Sequence, residues 1–448
     1  MHRPEEINGG GTATADPGLD ATFDVGYVTR VEGEGSLRLR VVGGEVTEAR
    51  LSIFEAPRYF ERLVVGRTPD EVLDIVSRIC GICPIAYQMT AVRAFEHAFG
   101  VTVDPEVAAL RRLFYAAEWI QSHALHVYLL HAPDFLGYPS AVAMAADHRD
   151  LVERGLRLKR VGNEIMALLG GRAIHPVSIR VGGFSRVPRP AELAPVRRSL
   201  DAALDDALAT VETVASLDAP DFARDRPLVA LRDANAYPYA DGRLVSTAGL
   251  DLAPDRWDDA FAEEQHEGSN ALHARTHDGG IYLLGPSARV TLDAGQLHPL
   301  AADALARHGF GERIRTNPYW SIAARAVELV QAVADARDVI DAYRTPAEPR
   351  VAWSPRPARA AWSTEAPRGV IFHHYEVDER GLIAAAQIVP PTSQNQGAIE
   401  QDLREFAPRV LGLPRDEATL RLEQLIRSYD PCISCATHFL DVRIEAEP

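Results

Sequence analysis

The chain has four cysteines, and all four fall into two Cys-x-x-Cys pairs near opposite ends of its 448 residues. One lies in Arg78-Ile79-Cys80-Gly81-Ile82-Cys83-Pro84, the other in Asp430-Pro431-Cys432-Ile433-Ser434-Cys435-Ala436-Thr437-His438. Each pair can present two thiolates to one metal from a single turn. A zinc ribbon spaces its pairs about 15–20 residues apart, so a site using both pairs here requires the fold itself to bring the two ends together. A thioredoxin-type dithiol accounts for Cys80 and Cys83 alone and leaves the second pair unexplained. A discontinuous structural zinc site satisfies four thiolates and stays open on the cysteines alone. The count is too small and too clustered for the disulfide framework of a secreted protein.

Composition narrows the partners. Forty-seven basic residues against 63 acidic ones give a net charge of −16, which argues against a nucleic-acid surface or an anionic membrane and for small molecules or other proteins. Hydrophobic residues at 46% and charged residues at 25% are ordinary for a globular chain. No stretch approaches the roughly 18 apolar residues of a membrane span. Residues 1–22 are expected to form a short flexible leader without a targeting signal, and a cytoplasmic location follows as the simplest expectation.

Alternation in Ser36-Leu37-Arg38-Leu39-Arg40-Val41-Val42, with a turn at Gly43-Gly44, predicts a small antiparallel sheet between Phe23 and Ile53. Thr68-Pro69-Asp70-Glu71 reads as a capped helix start, and Pro84 to Phe99 as a helix stopped by Gly100. Longer helices are predicted at Pro105–His131, Asp147–Leu169, Pro190–Ser216 and Pro318–Tyr343, whose apolar spacing suggests a bundle. Short strands are expected around Gly242–Leu250 and Gly279–Val290, mixed strand and loop from Pro346 to Gln396, and helices at Ala398–Phe406 and Asp416–Ser428. The expected class is mainly α with small peripheral β-sheets. Without an internal repeat or a linker, residues 23–438 are expected to form one interwoven domain.

An ordered set of motifs from residue 29 to the C-terminus resembles the catalytic large subunit of nickel–iron hydrogenases. It runs through Thr29-Arg30-Val31-Glu32-Gly33, Arg58-Tyr59-Phe60-Glu61, Arg78 to Cys83, and Gly171-Arg172-Ala173-Ile174-His175-Pro176 with Gly182-Gly183. Gly285-Pro286-Ser287-Ala288-Arg289, Glu365-Ala366-Pro367-Arg368-Gly369, Val389-Pro390-Pro391-Thr392 and Asp430 to His438 complete it. The cysteine motifs look most like those of the cytoplasmic, bidirectional group coupled to NAD(P).

The resemblance implies the hydrogenase large-subunit fold around a central helical bundle, and the reaction H2 ⇌ 2H⁺ + 2e⁻. By it, nickel takes Cys80, Cys83, Cys432 and Cys435, with Cys80 and Cys432 terminal. Cys83 and Cys435 bridge to an iron that carries cyanide and carbon monoxide. Soft thiolate donors suit both metals. Cys432 would accept the first proton and Glu32 relay it, although on sequence alone a surface carboxylate is the favoured reading of Glu32, since exposed Glu is the common case. Arg368 would hang over the open metal position, with Pro367 walling the pocket, Asp430 adding a carboxylate, and Pro390 and Thr392 lining the cyanide side. Glu61, the backbone carbonyl of Gln387, and His438 would hold magnesium. His123 and His175 are expected to serve packing or hydrogen bonding, and Ser122 stands where many relatives have an aspartate. Residues 439–448 would be a C-terminal extension removed by a maturation protease. No cysteine is left for an iron–sulfur cluster, so a cluster-bearing small subunit, and NAD(P)-reducing diaphorase subunits beyond it, are the implied partners. The competing reading is a non-catalytic, zinc-bound structural subunit of a related redox complex.

Overall fold

The computed structural model describes residues 20–266 and 268–437. The proposed leader up to residue 19, His438 and the proposed extension 439–448 lie outside the described residues.

Helices dominate, and several small antiparallel sheets lie around them. The N-terminal sheet orders Ala21–Val25, Gly35–Val42 and Glu45–Ile53 with a turn at Gly43-Gly44, as the alternation predicted. Its inward residues Leu37, Leu39, Val41 and Leu51 are buried. At Pro69–Val76 the capping box forms: Thr68 Oγ1 accepts from Glu71 N, and Glu71 Oε2 accepts from Thr68 N at 2.8 Å.

The bundle consists of Pro105–Ala124, Arg149–Gly170, Pro190–Ala215 and Ser321–Ala342, with Pro84–Phe99 alongside. Ser321–Ala342 packs on both Pro105–Ala124 and Pro190–Ala215. It is buried on every face from Ser321 to Ala334, which accounts for its alanine-rich, weakly amphipathic sequence. One contiguous apolar core runs from Phe60 to Cys435 and contains all four cysteines.

Four boundaries differ from the sequence reading. The helix predicted over Pro105–His131 is α-helical to Ala124 and widens into a π-helix over Leu125–His131. Pro318–Trp320 is a 3-10 turn ahead of Ser321–Ala342. Gly279–Val290 was expected to be strand, but Pro286–Leu292 is helical, because Pro286 starts a helix well once Gly285 takes φ +107°. The helix expected at Ala398 starts at Pro391, for the same N-terminal proline reason. That earlier start places Thr392 in the first helical turn.

A three-stranded meander, Ala358–Ala366, Gly369–Val377 and Ile383–Val389, covers one side of the core. Ala366 pairs with Gly369, so Pro367 and Arg368 form a two-residue hairpin tip.

Candidate metal centre

Cys83 caps the N-terminus of Pro84–Phe99, with Cys80 in the loop before it. Cys432 caps the 3-10 turn Ile433–Ala436, and Cys435 lies within that turn. Their sulfurs converge. Cys80 Sγ is 3.4 Å from Cys432 Sγ, Cys83 Sγ is 3.6 Å from Cys435 Sγ, and Cys432 and Cys435 are 2.7 Å apart. All four lie within 4.8 Å of one another and are buried. Hydrogen bonds from Cys432, then Cys435 and Cys83, push the Cys80 thiol well down, whereas burial pushes Cys432 and Cys435 up. Four thiolates this close and this dry repel one another unless a cation sits among them. The cluster is therefore a preformed soft-donor metal site that fits nickel and iron, and equally zinc, by its ligand chemistry.

Backbone contacts join the two distant motifs. Glu32 and Cys432 form a parallel bridge, and Ile433 N donates to the Glu32 carbonyl at 2.8 Å. Arg58 Nη2 donates to the carbonyls of Ile79, at 2.7 Å, and of Ser434, so one guanidinium spans both cysteine loops. Gly33 makes this closeness possible. It adopts φ +90°, and a Cβ there would stand 2.7 Å from Ile433 Cβ and 2.8 Å from Ser434 N. Gly33→Ala combines positive-φ strain with overpacking and should cost about 2–4 kcal/mol. An earlier denaturant midpoint with weaker metal retention is the expected result, and an unchanged midpoint would refute the tight fit.

Glu32 reaches the cluster directly. Its Oε2 accepts from Cys432 Sγ at 3.1 Å and from Ser434 N at 3.0 Å. Burial, then the Cys80 charge, raises its carboxyl above the usual range. The alternative of a free surface carboxylate does not match this geometry.

Arg368 is buried at the hairpin tip. Its Nε donates to the Asp430 carbonyl at 2.7 Å and its Nη2 to Asp430 Oδ1 at 2.9 Å, while Nη1 is buried with no hydrogen-bond partner among the described residues. The tip is clamped from behind. Arg289 donates to the carbonyls of Ala366 and Pro367, each at 2.9 Å, and pairs with Glu365 at 2.8 Å and Glu328 at 2.7 Å. Burial opposes ionisation of Glu328, but Arg289 holds its carboxyl down at about 2. Gly285 lets its loop reach the tip, since a Cβ there would lie 2.9 Å from the Arg368 carbonyl.

Pro390 caps the helix that starts at Pro391, and Thr392 Oγ1 accepts from Cys432 N at 2.9 Å. The Thr392 hydroxyl thus orients a cysteine amide. His123 Nε2 lies 3.0 Å from Glu328, and His175 Nδ1 bonds the Ser77 carbonyl at 2.7 Å, both consistent with packing roles. Ser122 is buried, its Oγ without a partner among the described residues.

A second cluster lies at Glu61. Its Oε1 accepts from Ile388 N at 2.7 Å, and burial raises its carboxyl to about 7. Glu263, bonded by Gln387 Nε2 at 3.2 Å, is raised to about 8 by burial and by Glu61. Glu61 and Gln387 are thus close together, and Glu263 joins them.

Sequence reasoning missed the roles of Arg58 and Arg289, although both stand inside motifs it quoted. Glu263 and Glu118 carried no local signal. Glu118 accepts from the first helical amides, Ile85 N at 2.6 Å and Ala86 N at 3.2 Å, and so pins the helix that Cys83 caps.

Comparison with known proteins agrees with this arrangement. The family pattern described as nickel-dependent hydrogenase matches residues 58–154 and 301–438. Sulfhydrogenase 2 subunit alpha of Pyrococcus furiosus is 34% identical over 421 residues, covering 92% of this chain and 98% of that protein. The NAD-reducing hydrogenase HoxS subunit beta of Cupriavidus necator is 28% identical, over 92% of this chain and 94% of its own. A crystal structure of an NAD+-reducing [NiFe]-hydrogenase in the H2-reduced state superposes with a TM-score of 0.86 at 26% identity, covering 93% of this chain and 99% of that one.

Proposed function

The chain belongs to the nickel-dependent hydrogenase family, and from that premise we propose that it is the catalytic subunit that splits and forms H2 at the four-cysteine cluster. The observation that carries the reading is the convergence of four buried sulfurs within 4.8 Å, with a carboxylate and a guanidinium beside them. Zinc has no redox chemistry, and a purely structural zinc site has no use for either neighbour.

Cys80, Cys83, Cys432 and Cys435 would together hold the nickel–iron centre. Bound there, a nickel–iron centre with cyanide and carbon monoxide on iron supplies H2 binding and heterolysis. The chain's residues do the rest. Cys432 Sγ takes the proton and hands it to Glu32 Oε2, 3.1 Å away. Burial raises the Glu32 carboxyl toward the range where it both accepts and releases a proton. Arg368 is fixed through Nε and Nη2 to Asp430, and its Nη1, unpartnered among the described residues, would polarise a ligand bound at the centre. Pro367 and Pro390 wall the pocket, and Thr392 steadies Cys432.

Glu61 and the Gln387 carbonyl, completed by His438, would hold magnesium. Glu61 is buried beside Ile388 N and Gln387, with Glu263 bonded to the Gln387 side chain, so oxygen donors suited to such a cation lie together here. Residues 23–438 would act as one domain, and residues 439–448 would be removed by a maturation protease. Electrons must leave to an iron–sulfur small subunit, since no cysteine remains in this chain. The NAD-reducing relatives support onward transfer to NAD(P); diaphorase subunits would carry it, in the cytoplasm. No described helix is long and apolar enough to cross a membrane.

Metal analysis, infrared spectroscopy and intact mass of the purified active complex test the reading together. Nickel and iron, bands from cyanide and carbonyl ligands, and a chain ending at His438 are expected. Zinc in their place in active protein would overturn it in favour of the structural subunit.

A further inference from the structure

Between Ser321 and Ala334, where the helix Ser321–Ala342 is buried on every face, the charged residues are Arg325 and Glu328. Glu328 is accounted for by Arg289 and His123. Arg325 takes no part in the steps at the metal centre, yet a buried guanidinium is costly unless its charge and its donors are met. They are met on the chain that leads into the second cysteine pair. Arg325 Nε forms an ion pair with Asp430 Oδ2 at 3.8 Å. Its Nη1 donates to the carbonyls of Ser321 at 3.3 Å and Ser428 at 3.4 Å, and its Nη2 to that of Tyr429 at 3.4 Å. Ser321 Oγ also donates to the Ser428 carbonyl. Ser428 and Tyr429 end the helix Arg415–Ser428, so their carbonyls have no acceptor role within it to fill. Asp430 follows at once with φ +52°, a left-handed backbone that a non-glycine residue holds only where its surroundings fix it. Its carboxylate is shared: Arg368 takes Oδ1 at 2.9 Å, and Oδ2 faces Arg325.

We propose that Arg325 is a positioning residue for H2 turnover: by bonding the carbonyls just ahead of Asp430 and pairing with its Oδ2, it fixes the carboxylate to which Arg368 is tied, and so the direction of the Arg368 guanidinium. This rests on the reading above, in which Arg368 acts on a ligand bound at the centre. Arg325 acts through Asp430 and not on the substrate. Without it, the strained Asp430 backbone loses the contacts that hold it from the Ser321–Ala342 side, and the carboxylate can turn away from Arg368. A donor misplaced by about 1 Å is enough to cost roughly 10²-fold in rate.

The test is a double-mutant cycle on H2 oxidation by the complete, metal-loaded complex. Arg325→Gln keeps a donor but loses the charge and the fork. It should lower kcat and kcat/KM together by about 10- to 10²-fold, with nickel, iron and the cyanide and carbonyl bands retained. Arg325→Lys keeps the charge and should recover part of the loss. In an Arg368→Lys background, Arg325→Gln should change turnover by less than about twofold, because the group it aims has already been replaced. A role confined to capping the helix end would instead reduce turnover by the same factor in both backgrounds, and that result overturns the proposal. Unchanged turnover of loaded Arg325→Gln overturns it too. Should Arg325→Gln fail to assemble, Arg325→Lys takes its place in the cycle, and the same two outcomes decide. Absence of any cyanide or carbonyl band in the unsubstituted enzyme would instead overturn the reading of the metal centre, and this proposal with it.

Discussion

Replacing Cys432 by serine should leave a folded chain with no nickel and no H2 turnover. The sulfur of Cys432 touches Cys435 at 2.7 Å, Cys80 at 3.4 Å and Glu32 at 3.1 Å, more of the site's functional atoms than any other cysteine reaches. A serine hydroxyl does not ionise near neutral pH and is a hard donor, so it replaces neither the thiolate ligand nor the proton acceptor. The backbone bridge to Glu32 and the Thr392 bond to the Cys432 amide use main-chain atoms and survive the change. The far-ultraviolet spectrum should therefore change little while nickel falls to background. Turnover retained in Cys432→Ser would rule out this cysteine as both ligand and base.

Glu32→Gln separates the proton path from metal binding. The amide keeps the shape of the carboxylate, and its oxygen can still accept from Ser434 N, which Glu32 accepts at 3.0 Å. It cannot carry a proton away. H2 oxidation should fall by at least about 10²-fold, the lower end of what a positioned acid or base contributes. Nickel and iron content and the infrared bands should be unchanged. Activity equal to that of the unsubstituted enzyme would remove Glu32 from the path.

These two changes differ in how visible their targets were. Cys432 stands out in the sequence because thiolate pairs are rare and their spacing carries chemistry. Glu32 has no such mark: it is one of 63 acidic residues, and only the motif around it suggested more. What distinguishes it is a backbone bridge to a residue 400 positions away. The same holds for Arg58, whose guanidinium spans the Ile79 and Ser434 carbonyls, and for Arg289, which holds the tip that carries Arg368. Both stood within recognised motifs, yet nothing local says what either side chain reaches. Glu118 and Glu263 were not legible at all, since a buried carboxylate and an exposed one look alike in sequence.

The sequence by itself determined the helical periodicity, the first sheet and its turn, the capping box at Thr68, and the four thiolates as a ligand set. These follow from side-chain chemistry and short-range spacing, which are local properties of the chain. Only the tertiary structure decided that the four sulfurs lie within 4.8 Å, that Glu32 and not another acid meets Cys432, and that the hairpin tip aligns Arg368 on Asp430. Those depend on packing between elements hundreds of residues apart. Their energies come from burial and from hydrogen bonds whose partners the chain order does not name.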